Sequence, residues 1–112
     1  MEERIFNIRG VAVDVLSDEW MDEDIENKTP VIVQKIVKRP GGFTVFMKGP
    51  FENIEWYFSK GLTEIKILKG KQAPFIRIEH EDGTYWIDVP YNPQILEFLD
   101  EYVEKENAPD GI

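Results

Sequence analysis

FIRIEHEDGTYWIDVPYNPQILEFLDEYV, residues 75–103, holds the reading on which the fold turns. Its first half alternates and then reverses. Apolar residues in 75–80 and 84–89 flank Glu81-Asp82-Gly83, where Asp-Gly supplies the positive φ of a tight hairpin. Pro90 has no N–H for a ladder and ends the second strand. The period then changes. Asn92 is suited to cap a helix and Pro93 to open it, because a first-turn N–H finds no partner inside the helix. Ile95, Leu96, Phe98, Leu99, Tyr102 and Val103 follow at the spacing of a core-facing helical stripe.

Working back towards the N-terminus, punctuation is frequent, which favours short strands over long helices. Residues 63–69 read as a strand, reached from 53–59 through a tight hairpin at Lys60-Gly61. Within 53–59, Ile54, Trp56 and Phe58 alternate with Glu55, Tyr57 and Ser59, the period of a half-buried strand. Pro50 also permits a helix with Phe51, Ile54 and Phe58 on one face. The choice over 51–60 stays open, with aromatic content favouring strand. Residues 31–38 and 43–48 read as partner strands around Arg39-Pro40-Gly41-Gly42, a type II turn with proline second and glycine third. Residues 17–27 (SDEWMDEDIEN) form an acidic excursion, the best loop candidate. Residues 5–16 read as one long bent strand or two short ones around Gly10.

The expected fold is mainly β (α+β): a small antiparallel barrel or two-sheet sandwich of about seven strands, capped by one C-terminal amphipathic helix. This order of elements is similar to the pleckstrin-homology-like architecture, whose C-terminal helix caps a seven-strand barrel. The resemblance is one of element order, without a diagnostic motif. A five-stranded oligonucleotide-binding barrel is the competitor, and it leaves the last strands and the helix as additions. The 112 residues make one globular domain over 1–106, with a short flexible tail at 107–112.

No cysteine is present, which excludes a disulfide scaffold, a thiolate metal site and a cysteine nucleophile. Apolar runs are too short to span a membrane, and MEERIFNIRG carries early acids with no apolar core of a secretory signal. A cytoplasmic location is the expectation. Enzyme signatures are missing as well: Gly70-Lys71 continues into Gln72-Ala73 instead of a phosphate-binding loop, and no nucleophile elbow or paired-histidine motif occurs. His80-Glu81-Asp82 reads as a turn, since adjacent residues there diverge and no nucleophile accompanies them. Asp22, Asp24 and Glu26 recur like the start of a calcium loop, but Asn27 replaces its glycine and Val33 its terminal glutamate. Neither metal nor cofactor is expected, and the chain reads as non-enzymatic.

Charge is the most informative property. The net charge is −9, yet it is segregated: residues 1–26 and 78–112 are strongly acidic, and 27–77 strongly basic. The bland reading is that acidic and basic strands neutralise one another. Two functional readings stand beside it. In the first, acidic patches dock onto a basic protein partner, imitating nucleic acid or regulating that partner. Its residues are Asp18, Glu19, Asp22, Glu23 and Asp24, with Trp20 as apolar anchor, together with Glu101 and Glu104 on the terminal helix, where the dipole disfavours acids. In the second, Lys35, Lys38, Arg39 and Lys48 bind an anion, either single-stranded nucleic acid or phosphorylated lipid. Phe43, Phe46, Trp56, Tyr57 and Phe58 would then supply stacking surfaces. The first is the leading expectation and the second its alternative.

Overall fold

A computed structural model describes residues 2–104; the expected tail at 107–112 lies outside the described residues. Seven antiparallel strands form one sheet: β1 (Glu3–Asp18), β2 (Glu23–Arg39), β3 (Gly42–Lys48), β4 (Asn53–Ser59), β5 (Thr63–Lys69), β6 (Pro74–His80) and β7 (Tyr85–Pro90). A short helix α1 (Pro93–Phe98) and a 3-10 turn at Asp100–Tyr102 follow. The order across the sheet is β4-β3-β2-β1-β7-β6-β5, so β4 and β5 are its two edges. The mainly β architecture with a helix near the C-terminus is as the sequence predicts, and 53–59 is strand.

The expected hairpin between 53–59 and 63–69 does not form. β4 pairs with β3 and β5 with β6, at opposite ends of the ladder. A flat sheet would separate those edges by roughly 29 Å, counting about 4.8 Å per strand gap. Residues 60–62 can bridge at most about 15 Å from Ser59 to Thr63. The sheet therefore curls until its edges meet at this corner, where the Leu62 N–H donates to the Ser59 carbonyl at 3.1 Å. A second contact closes across the interior: the Tyr85 hydroxyl on β7 donates to the Tyr57 carbonyl on β4 at 3.0 Å. The edges meet without pairing along their length, so the sheet stays open. Curvature between β1 and β7 is permitted by Gly10, since a Cβ there would stand 2.8 Å from the Asp88 carbonyl oxygen.

Local sequence accounts for the turns. Gly41 (φ 89) and Gly83 (φ 75) take the left-handed conformation that the sequence predicts for them. β1 is one continuous strand with a register shift between Ile5 and Ile8, where Asn7 has φ 53. Residues 17–27 correct the expected loop: all but 19–22 are strand, because β1 and β2 pair through to Asp18↔Glu23.

The terminal stripe is buried as predicted at Ile95, Phe98, Leu99 and Tyr102. The helix is shorter than the stripe, however. Asn92 caps it through the Gln94 N–H at 2.8 Å, but Leu99 leaves helical geometry, and the chain tightens into the 3-10 turn. Pairing with the sheet is the reason. Val103 forms a parallel bridge to Ile65, and the Glu104 N–H donates to the Ile65 carbonyl at 3.0 Å, a geometry that a continuous helix cannot reach. Tyr102 meets Phe43 edge-on at 4.8 Å, and Phe43 stacks on Phe58 at 5.3 Å. Leu99 is fully buried in this cluster. Leu99→Asp places an unpaired carboxylate there at a cost of several kcal/mol, against a total stability of roughly 5–15 kcal/mol. A thermal melt is expected to show loss of the cooperative transition; an unchanged midpoint would mean that the helix does not hold the sheet.

Candidate functional site: an acidic hairpin and the groove at its root

β1 and β2 outrun their neighbours. β7 pairs with β1 only at residues 11–14, and β3 pairs with β2 only from Ile32 onward. Residues 15–26 are therefore a two-stranded ribbon with no third strand among the described residues, tied at its root by the Val15 N–H, which donates to the Thr84 carbonyl at 2.8 Å. Its tip is built by Asp18, whose Oδ1 accepts from the Trp20 N–H at 3.0 Å and the Met21 N–H at 3.3 Å. Asp22 follows in the left-handed region (φ 52), a conformation aspartate tolerates better than most residues. The result presents Trp20, 97% exposed, among Asp18, Glu19, Asp22, Glu23 and Asp24. On the ribbon, exposed Leu16 and Ile25 face each other, flanked on the same side by Asp14/Asn27 and Asp18/Glu23.

The remaining predicted acids sit elsewhere. Glu101 lies 3.8 Å from Lys38, and the charge of Glu104 reinforces the protonated form of Lys66. The α1 region packs near the start of β1, where Arg4 reaches Glu97 at 3.6 Å. The hairpin tip lies a strand path of roughly 45 Å away, at 3.3 Å per residue. Tip and helix acids thus do not make one surface. Glu104 also follows the 3-10 turn rather than lying on a long helix, which removes the dipole argument for its placement.

The basic residues do not converge. Lys35 pairs with Glu3 at 3.9 Å and lies over the Phe46 ring; Lys38 pairs with Glu2 and Glu101 and lies over Phe98. Arg39 Nε donates to the Thr44 hydroxyl at 2.8 Å. Lys48 is exposed at the end of β3, lining a groove with Arg9 and Gly10. Phe43 and Phe58 are fully buried and offer no stacking face. Neutralisation across strands recurs in Arg77–Asp88 at 2.8 Å and in Lys66–Glu79 at 2.7 Å. Hydrogen bonding to Glu79 is the main cause that raises the Lys66 pKa, and bonding to Asp88 does the same for Arg77.

Sequence reasoning missed a groove at the root of the hairpin. It has a volume of about 590 Å³ and is lined by Asp14, Glu52, Glu55, Trp56, Tyr57 and Tyr85, among others. Trp56 meets Tyr85 edge-on at 5.4 Å. Burial, reinforced by the Asp82 charge, raises the Tyr85 pKa, keeping its hydroxyl a neutral donor to Tyr57. The legible signal was the pair Glu52 and Glu55 around alternating aromatics. Of the aromatics grouped with the bases, Trp56 stands with carboxylates instead, while Phe46 remains beneath Lys35. Phe51, 97% exposed, extends from the β3–β4 loop beside this end of the molecule.

His80 and Asp82 build a turn. The Asp82 carboxylate accepts from the Thr84 hydroxyl at 2.6 Å and the Thr84 N–H at 2.9 Å, and it lies 2.8 Å from His80 Nδ1. His80 stacks on Tyr85 at 5.0 Å. Among the described residues, no group of three or more acid or imidazole side chains is arranged to hold a metal ion.

The Thr84 hydroxyl, then its amide, hold the Asp82 pKa down at about 2. Because the folded value lies below the ordinary aspartate value of about 3.9, the turn's stabilisation is complete above that pH and fades as pH falls through the folded value. The Thr84 amide proton is expected to titrate by NMR with a midpoint of about 2. A midpoint at the ordinary aspartate value would show that these hydrogen bonds are not held.

In comparisons with known proteins, no family model matches the chain, and no curated protein or solved structure does.

Proposed function

We propose that this chain is a non-enzymatic docking module that engages a basic protein partner through the β1–β2 hairpin. The observation that carries the reading is the ribbon at 15–26: it extends past its sheet neighbours and holds Trp20 almost fully exposed among five carboxylates. An isolated two-stranded ribbon in water is marginal by itself. Leu16 and Ile25 support it as a cross-strand pair, but Trp20, 97% exposed, and Met21, 65% exposed, bury little in the free protein, whereas aromatic anchors within a polar rim typify protein interfaces. The acids steer encounter with a positive surface, and Trp20 supplies the apolar contact once docked.

Neutralisation within the fold sharpens this assignment. Glu101 and Glu104 interact with lysines of the sheet and are no longer needed in the docking set, which narrows to Asp18, Glu19, Trp20, Asp22, Glu23 and Asp24. The anion-binding alternative keeps Lys48, while Lys35 and Lys38 are already engaged by carboxylates. The reading does not lean on the pleckstrin-homology-like order of elements, because fold likeness transfers function poorly.

The test is affinity capture from the native host at physiological salt. It uses wild type, Trp20→Ala, and a variant combining Glu19→Gln, Asp22→Asn and Glu23→Gln. Because these side chains are exposed, both variants should melt within a degree or two of wild type, as surface changes usually cost under about 0.5 kcal/mol. Trp20→Ala is expected to weaken a purified basic partner by about 2 kcal/mol, the scale of an interface hot spot. The charge variant should mainly slow association. Equal capture by all three proteins would assign the acids to solubility alone.

A further inference from the structure

β4 and β5 are both edges of the sheet, but they are finished differently. On β5 the free edge is occupied: Ile65 bridges to Val103, and its carbonyl accepts from the Glu104 N–H. β4 pairs with β3 along its whole length and, among the described residues, with no other strand. The Tyr57 carbonyl points away from β3, since it accepts the Tyr85 hydroxyl. By the two-residue alternation of a strand, the backbone groups of Glu55 and Asn53 point the same way. Glu55 and Tyr57 border the groove of about 590 Å³ at the hairpin root, a volume within the usual range of binding clefts.

Edge strands are normally blunted against pairing, most often with lysine. This edge carries Glu52 and Glu55, and Asp14 faces the same space from β1. Such an edge repels acidic strands and attracts basic ones. The Trp56 and Tyr85 rings also line the groove, with the Tyr57 backbone beside them and the Tyr57 ring over Gly41 and Gly42. Aromatic rings beside carboxylates suit a guanidinium or ammonium, which gains from ring faces and counter-charge together.

We propose that the open edge of β4 takes an extended basic segment of a protein partner by strand addition, seating an arginine or lysine side chain in the Asp14–Glu52–Trp56–Tyr85 groove. Main-chain hydrogen bonds from Asn53, Glu55 and the Tyr57 N–H supply affinity, and the groove selects charge. This rests on the preceding reading only for the sign of the partner's charge; it concerns a different surface from the hairpin tip.

The probe is a fluorescent peptide of about eight residues, a usual strand length, alternating arginine and valine. Controls are the same peptide N-methylated at alternate backbone nitrogens and an aspartate–valine peptide. The groove variant combines Asp14→Asn, Glu52→Gln and Glu55→Gln, side chains outside the buried core. The arginine peptide is expected to bind saturably and to slow amide exchange at Asn53, Glu55 and Tyr57. N-methylation and the groove variant should each weaken it at least about tenfold, or 1.4 kcal/mol. The tip variant, Glu19→Gln with Asp22→Asn and Glu23→Gln, should bind it nearly as wild type does. The inference falls if binding is absent, if the N-methylated or acidic peptide binds equally, or if the tip variant loses as much as the groove variant. Peptide binding that persists while tip neutralisation leaves native capture unchanged would sink the hairpin reading and keep this one.

Discussion

Residues 60–62 join the two strands that lie farthest apart in the sheet, and the rest of the molecule follows from that short connection. Because the chain there cannot span the width of a flat seven-stranded sheet, the ladder must curl and bring β4 round towards β5 and β7. The curl gives an inside to a single sheet. Phe43, Phe58, Ile65, Ile76, Ile78 and Ile87 fill it from strands far apart in the order. One opening remains between edges that meet but do not pair, and the terminal segment occupies it from one side with Ile95, Phe98, Leu99 and Tyr102.

Charge is organised by the same register. The basic middle of the chain supplies β2 to β5 and part of β6, so its lysines lie across from acids of the first and last thirds. Lys38 meets Glu2 and Glu101, and Arg77 meets Asp88. Exposed ion pairs contribute little to stability, typically up to about 1 kcal/mol each. Their larger effect here is on surface potential: the charges of Lys35, Lys38, Lys66 and Arg77 are cancelled locally, while carboxylates cluster at the hairpin tip and line the groove. Both places are where the ladder is incomplete. At the tip, β1 and β2 have outrun their partners; at the groove, β4 has no neighbour on one side. Where pairing stops, apolar side chains and backbone groups remain exposed.

Much of the fold was legible because local chemistry points one way. The positive φ of Gly41 and Gly83, the Asn92 cap, Pro93 at the start of the helix and the spacing of Ile95, Phe98, Leu99 and Tyr102 each follow from neighbours within a few residues. The acidic tip with exposed Trp20 was legible too, since seven acids without a base between Asp14 and Glu26 leave no other place than solvent. What misled was adjacency. Strands 53–59 and 63–69, separated by a glycine turn, look like a hairpin in sequence, and 17–27 looks like a loop because its charge masks a strand period.

The sequence by itself determined where strands reverse, which helical face is apolar and where negative charge accumulates, because those properties depend on dihedral preference, period and composition. Only the tertiary structure decided which strands pair, that Lys38 and Glu101 cancel each other, and that Trp56 and Tyr85 share a groove with Asp14. Those outcomes depend on contacts between residues far apart in the chain, set by a three-residue connection and a curled ladder. No local pattern encodes them, because the energy that selects them is the burial of the whole core at once.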